Sequence, residues 1–304
     1  MHGFINIDKP TGMTSFDVIR KIRKVLPRKT KIGHLGTLDP MASGVLPLAV
    51  GDATRLLSFL EEESKSYLAT MQLGSSSDTQ DAWGTIKPIN DRLVTEEEML
   101  QTLQRFTGII EQIPPMYSAV HHQGQRLYEL ARQGIEVERT PRPAEIIELE
   151  LLDLKKSDRT QQARIRVVCS RGTYVRTLCH DIGNQLGTGA YMSELVRTHS
   201  GAFPLDKASH LDDIMSRGLR PEELLPLDYP LTNFAAVYLS DPTETRTISH
   251  GGWIPWSGAI ITRQVRIYSP QLTMIGIGNV EDNGVEAVLK PIRVLAGSLS
   301  DSNT

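Results

Sequence analysis

Apolar and polar positions alternate along this chain at two periods, and the changes of period mark its elements. Residues 4–8 alternate with period two and predict a strand. Phe16, Ile19, Ile22 and Leu26 then follow helical spacing as far as Pro27, and Thr14 with Asp17 three residues on has the pattern of a capping box. The run from Val45 to Val50 is apolar enough to be buried. Residues 65–74 alternate and end on Gly74, which predicts another strand, and the polar stretch 75–84 predicts a loop. Thr95 and Glu98 form a second capping box, and Met99, Leu100, Leu103 and Phe106 carry a packing helix with an acidic start up to Gly108. Residues 113–134 predict a strand or loop and a short helix closed by Gly134. Residues 145–154 and 163–169 predict strands, and 170–183 a turn entering a helix. Ser209 and Asp212 are expected to cap a short helix ending near Gly218.

The prolines at 226 and 230 predict a linker. Beyond it, short apolar runs at 259–262, 265–268, 274–278 and 285–289, separated by turn residues, predict a small β-barrel-like module, with 298–304 as a mobile tail.

Composition narrows the class. A chain of 304 residues can bury a sizeable core and is long enough for two domains. No run approaches the roughly 20 apolar residues of a membrane helix, and the first residues have neither a basic leader nor a long apolar core. The expectation is a cytoplasmic protein without a signal peptide. Cys169 and Cys179 fit packed thiols in a reducing compartment, and no Cys-x-x-Cys or histidine cluster beyond His121-His122 suggests a metal.

The net charge of −3 argues against nucleic acid until its distribution is considered. Residues 1–34 carry Lys9, Arg20, Lys21, Arg23, Lys24, Arg28, Lys29 and Lys31 against only Asp8 and Asp17, while acid collects at 61–63 and 96–98. A local basic surface is what meets phosphates, although a solvated helix face has the same composition.

The candidate chemistry centres on residues 33–55, GHLGTLDPMASGVLPLAVGDATR. Glycine and proline make its first half a loop, and the apolar second half anchors that loop, a good mount for a reactive group. Asp39 is the candidate, since Pro40 pushes it out of the helical region and glycines at 33, 36 and 44 allow a ligand to approach the backbone. A tight turn whose aspartate bonds its own backbone would need the same residues.

The full wording of this stretch resembles the catalytic motif of the bacterial tRNA pseudouridine-55 synthases, the TruB family, in which the aspartate of G-H-x-G-x-L-D-P is the nucleophile. Further motifs extend the resemblance over about residues 4–230. They are K-P-x-G-x-T-S at Lys9, K-x-Y with T-D-T-x-D-x-x-G at residues 65–84, P-P-x-Y-S-A-x-K at residues 114–121, G-T-Y-[VI]-R-T at residues 172–177, and L-x-R at Leu195 and Arg197. Ser77 stands where threonine is usual, and His121 where lysine is usual, which puts one phosphate or backbone contact in doubt unless His121 is protonated. The end of the chain, 286–295, more weakly resembles the last strand of PUA-like domains.

The resemblance implies an α+β pseudouridine synthase fold: a mixed, mainly antiparallel central sheet flanked by helices, plus a small C-terminal β-rich PUA-like domain. Residues 1–230 would form the catalytic domain, with an RNA-gripping insertion at about 112–145, and 231–297 the PUA-like RNA-binding domain. It implies a catalytic set of Asp39, Tyr67 and Arg176. Arg176 would hold the Asp39 carboxylate, a guanidinium being able to do so in a bidentate geometry. Tyr67 would offer an aromatic face to the base and a phenol near the proton leaving carbon 5. Lys9, Tyr174, His34, Leu195 and Arg197 would bind substrate, with His34 filling or propping the site of the extruded base and Leu195 lining the uracil pocket. For Arg197 both polar support and RNA contact fit.

The partner would be the T-stem and loop of tRNA, bound by a monomer with no cofactor and no membrane. Two other classes share parts of this pattern. A non-catalytic RNA-binding protein of the same fold would not need Asp39, Tyr67 and Arg176 together. A carboxylate-dependent hydrolase would need a second acid beside Asp39, with Asp52 and Asp78 as possibilities.

Overall fold

The computed structural model describes residues 1–60, 64–157, 160–258, 264–282 and 284–295. The chain opens with β1 (Gly3–Lys9), and a turn leads to α1 (Ser15–Ile22). Thr14 and Asp17 close the expected capping box, each side chain accepting from the other's backbone N–H. The helix is rotated relative to the sequence expectation. Val18, Ile19 and Ile22 are buried, whereas Phe16 is exposed and meets the Arg20 guanidinium at 6.0 Å. Ser15 takes the inward place because its hydroxyl bonds both backbone groups of Leu38, at 2.9 and 3.1 Å.

Next come β2 (Ile32–His34) and β3 (Ser43–Val50), an antiparallel pair around the loop 35–42. Gly33 and His34 therefore belong to a short strand, not to the loop, since they pair with Ala49 and Leu48. After β4 (Lys65–Leu73), the stretch expected as loop contributes β5 (Ser75–Ser77), which forms a hairpin with β6 (Ile86–Pro88). The second capping box starts α2 (Glu96–Arg105) as expected, although Leu100 faces solvent.

Next are β7 (Gly108–Gln112), a small hairpin of β8 (His121–His122) and β9 (Gln125–Arg126), and α3 (Leu127–Arg132). The long pair β10 (Arg142–Ser157) and β11 (Thr160–Cys169) leads into α4 (Val175–Gln185), then β12 (Ala190–Ser200), β13 (Phe203–Pro204), β14 (Ser209–His210) and α5 (Leu211–Arg217). The cap position of α5 is His210, not Ser209 or Asp212. The Ser209 hydroxyl instead donates to Glu223 Oε1 at 2.7 Å.

Ten strands form one sheet in the order β14-β1-β3-β12-β4-β11-β10-β7, with β2 on β3 and β13 on β12. Pairing is antiparallel except at β1–β14 and β3–β12. Side-chain alternation divides the sheet into two faces. Ile5, Ile7 and Lys9 of β1 share the face covered by α1, α4 and α5, through Val18, Ile22, Leu178, Ile182, Leu211 and Ile214. Phe4 faces the other way, into a cluster with Val45, Ala49 and Phe203.

That second cluster also receives Tyr268, Met274 and Ile277 of a smaller sheet. Its elements are β15 (Ala235–Tyr238), α6 (Pro242–Ser249), β16 (Ile254–Pro255), β17 (Val265–Tyr268), β18 (Met274–Asp282) and β19 (Ala287–Val294), with strand order β15-β17-β18-β19-β16. The expected strand at 259–262 and the tail at 298–304 lie outside the described residues. The stretch expected as a linker is fastened to the first strand, since Phe4 and Leu225 exchange both backbone hydrogen bonds at 2.9 and 2.8 Å. No helix among the described residues is long and apolar enough to cross a membrane.

Phe203 holds this seam, with its ring 5.6 Å from Phe4 and 5.4 Å from Tyr229, and it is fully buried. Replacing it leaves a cavity between the sheets, and Phe203→Ala is expected to lose about 3–5 kcal/mol in urea unfolding. A loss below about 1 kcal/mol would mean that this contact does not hold the sheets together.

Candidate active site

One register line across the large sheet carries much of the candidate chemistry. Lys9 of β1 pairs with Gly44 of β3, Gly44 with Arg197 of β12, and Arg197 with Tyr67 of β4. Directly paired residues share a face, so the three polar side chains stand in one row beneath the loop 35–42. Gly44 is needed at the crossing: its φ is +99°, and a Cβ there would lie 2.3 Å from the Arg197 carbonyl oxygen.

Arg197 is fully buried. Its Nε donates to the Val45 carbonyl at 2.7 Å, and Nη2 and Nη1 donate to those of Gly36 and Thr37 at 3.1 and 3.3 Å. Of the two roles open to it in the sequence, it therefore takes loop support, because no surface is left for RNA. Lys9 departs from the substrate-contact expectation in the same way. It is fully buried, and Nζ donates to the carbonyls of Pro10 and Met13 at 3.0 and 2.8 Å. Tyr67 is buried against Arg197, and its phenol pKa is raised, chiefly by burial. Leu195 lies on the same face two residues before Arg197, opposite Ala69, and is nearly buried.

Asp39 sits above this row in the middle of its loop, held from the side by the Ser15–Leu38 bonds and by Gly12 N–H donating to the Pro40 carbonyl at 2.8 Å. Its side chain keeps 33% of its surface exposed, while that of Arg176, on the first turn of α4, keeps 5%. The pairing is not bidentate. Arg176 Nη2 is 3.6 Å from Asp39 Oδ2, and Nη1 is 3.5 Å from Oδ2 of a second carboxylate, Asp81. Nη2 also donates to the Tyr117 carbonyl at 2.6 Å. Asp81 is itself fixed, accepting from Thr79 Oγ1 at 2.7 Å and from the Trp83 N–H at 3.0 Å.

Tyr174 immediately precedes α4, and its ring centroid is 6.0 Å from the Arg176 guanidinium carbon. Its backbone N–H and carbonyl are both bound by the Gln112 side chain. His34 ends β2, its Nδ1 buried without a partner. Burial lowers its pKa, with Arg197 and Lys65 adding to the fall, so the ring is neutral at pH 7. Asp52 and Asp78 do not serve as a second acid beside Asp39. Asp52 faces His2 and Arg55, and Asp78 accepts from the Thr85 N–H.

The arrangement presents one accessible carboxylate, with a buried guanidinium beside it and a buried phenol in the sheet beneath its loop. The family model for the N-terminal domain of TruB family pseudouridylate synthases matches residues 23–175, and that for the C-terminal domain of tRNA pseudouridylate synthase B matches residues 176–232. The chain belongs to the TruB family.

A TruB-family relative from Syntrophomonas wolfei, named tRNA pseudouridine synthase B, is 52% identical over 295 residues, 97% of this chain and 98% of its own. One of the same name from Clostridium acetobutylicum is 38% identical over 294 residues, 95% of this chain and 99% of its own. Among solved structures, a chain of a Cbf5-Nop10-Gar1 complex is 29% identical with a TM-score of 0.70, over 96% of this chain and 84% of its own. Another, from an H/ACA RNP bound to a substrate RNA containing 2'-deoxyuridine, is 26% identical with a TM-score of 0.71, over the same shares. The resemblance read from the motifs holds, and with it the expected fold: a large mixed sheet with helices and a C-terminal β-rich part.

Within this TruB-family frame, sequence reasoning missed Asp81 and Ser15. Both stand in motifs quoted above, so the wording contained the signal. Their acid and hydroxyl acquire meaning only from contacts far along the chain.

Lys9 gives a pH test of the row. Burial lowers its pKa from 10.5 to about 8, the Asp39 charge opposing the fall and Arg197 adding to it. Between those values the unfolded chain binds a proton that the folded chain has released, so stability rises with pH through the Lys9 term. In urea unfolding, the stability of wild type relative to Lys9→Met is expected to rise from pH 8 to pH 10. A relative stability that falls over this range contradicts a buried, discharging lysine.

Proposed function

We propose that this chain isomerises uridine-55 in the T-loop of tRNA to pseudouridine, with Asp39 as the nucleophile. The observation that carries the reading is the grouping of Asp39, Arg176 and Tyr67 around the loop 35–42, with the aspartate alone among the three substantially exposed. That the relatives are named tRNA pseudouridine synthase B supports tRNA as the substrate.

The reaction breaks the N1–C1′ bond, turns the base and joins C5 to C1′. The proton on C5 leaves and N1 gains one, so the product is an isomer and no donor or oxidant is consumed. Asp39 forms a reversible bond at C1′ or at C6. Arg176, anchored by Asp81 and the Tyr117 carbonyl, holds that carboxylate in place. Tyr67 keeps its phenolic proton at neutral pH, which favours relaying the C5 proton over accepting it as an anionic base.

The uridine is unreachable inside a folded loop and is flipped out, at a cost on the order of a few kcal/mol. His34, neutral and half-buried, props the vacated site, and Leu195 and Tyr174 line the pocket. Specificity comes from loop shape and phosphate contacts, because the edges of an RNA duplex are poorly readable. The basic α1 region is one source of those contacts. In this reading residues 1–230 form the catalytic domain, with an insertion at about 112–145 that grips the RNA hairpin. Residues 231–297 form a PUA-like RNA-binding domain, and the enzyme works as a monomer.

Unmodified tRNA labelled with tritium at C5 of uridine tests this directly. Wild type is expected to release tritium and leave pseudouridine at position 55 only. Asp39→Asn is expected to release none while still binding the tRNA, since phosphate contacts supply most of the affinity. Pseudouridine formed by Asp39→Asn ends the nucleophile assignment, and pseudouridine mapped elsewhere ends the position-55 assignment.

A further inference from the structure

The family wording T-D-T-x-D-x-x-G leaves position 83 open, and this chain fills it with tryptophan. Trp83 is 58% exposed. Single exposed apolar side chains are ordinary, and what sets this indole apart is the place of its loop beside Arg176.

Its backbone is immobilised. The Trp83 N–H donates to Asp81 Oδ1 at 3.0 Å, and the other oxygen of Asp81 is the one facing Arg176. Gln80 holds a left-handed conformation, φ +65°, and its side-chain oxygen accepts from Thr177 Oγ1 on α4 at 2.7 Å. Its carbonyl accepts from Met192 N–H of β12 at 3.0 Å. Gly84 is wrapped so tightly that a Cβ there would come within 2.2 Å of Asp78 Oδ1. A rigid loop thus carries an exposed indole within one hydrogen-bonded step of the guanidinium that reaches Asp39. Tyr117, whose carbonyl binds the same guanidinium, is also substantially exposed, at 42%.

We propose that Trp83 is a substrate-contacting residue, whose indole stacks on an unpaired nucleobase of the RNA beside the flipped uridine. Stacking on an aromatic face tolerates any base, and a preset loop lowers the entropic cost of the contact. The occupant is RNA and not protein, because the indole belongs to the loop whose Asp81 meets the guanidinium beside Asp39, and an unstacked nucleotide must stand next to that carboxylate during base flipping. The inference rests on the RNA-modifying function proposed above.

The test uses the full-length protein with Trp253→Phe and Trp256→Phe, which leaves Trp83 as the sole tryptophan. In an Asp39→Asn background, titration with a T-arm hairpin RNA is expected to quench Trp83 fluorescence in step with binding followed by filter retention. In the otherwise native enzyme, Trp83→Ala is expected to raise KM about ten-fold with kcat within two-fold. Trp83→Phe is expected to restore most of the loss, and the thermal midpoints of both variants should match wild type. Retained RNA without a fluorescence change overturns the proposal and leaves the indole for a protein partner. Equal losses in Trp83→Ala and Trp83→Phe, with lowered thermal midpoints, overturn it in favour of a structural role. Wild type that makes no pseudouridine refutes the function instead, independently of the quenching result.

Discussion

The arrangement depends on one buried guanidinium held between two carboxylates. A cation removed from water costs several kcal/mol unless it is paired and hydrogen-bonded. Arg176 has one nitrogen towards Asp39, one towards Asp81, and the Tyr117 carbonyl as acceptor. These partners come from three separate loops, and Arg176 itself comes from a helix packed on the large sheet. Forming the ion contacts and docking those segments are therefore coupled, because any segment that moves away leaves a buried charge less well compensated. Bidentate pairing to Asp39 alone would hold the carboxylate but would not hold the loop containing Asp81.

A second buried guanidinium works beneath the first. Arg197 holds the loop 35–42 from below by three carbonyls, and Gly44 lets its strand approach. The two arginines divide the labour between aiming a side chain and propping a backbone. Arginine suits both tasks, since its planar fork donates in several fixed directions and keeps its charge at any relevant pH. Around β1, β3 and β13 the opposite face packs through Phe4, Val45, Ala49 and Phe203 against the smaller sheet, so the contact with the C-terminal part is made away from the site face.

Much of this was legible in the sequence where the cause is local. The strands β4, β10 and β11 follow period-two patterns, and the two capping boxes are complete within four residues each. Phe16 misled because the rotation of α1 is decided by a bond from Ser15 to Leu38, 23 residues away. The family wording pointed to Lys9 as a substrate contact and left Arg197 open between support and RNA contact, yet the strand register that lines them up with Tyr67 buries both. Asp81 looked like any polar loop residue, since its partner lies on α4 and no spacing rule joins the two. The motif wording could mark such residues, but the division of labour among them came only from distances.

A double-mutant cycle on the single-turnover rate of pseudouridine formation tests the shared guanidinium most directly. Arg176→Met is expected to slow the step about 100-fold or more, and Asp81→Asn to slow it less. If Asp81 acts through Arg176, adding Asp81→Asn to Arg176→Met changes the rate by no more than about two-fold, because residues acting as a unit are not additive. Losses that multiply in the double variant would contradict the arrangement, since Asp81 would then act independently of the guanidinium.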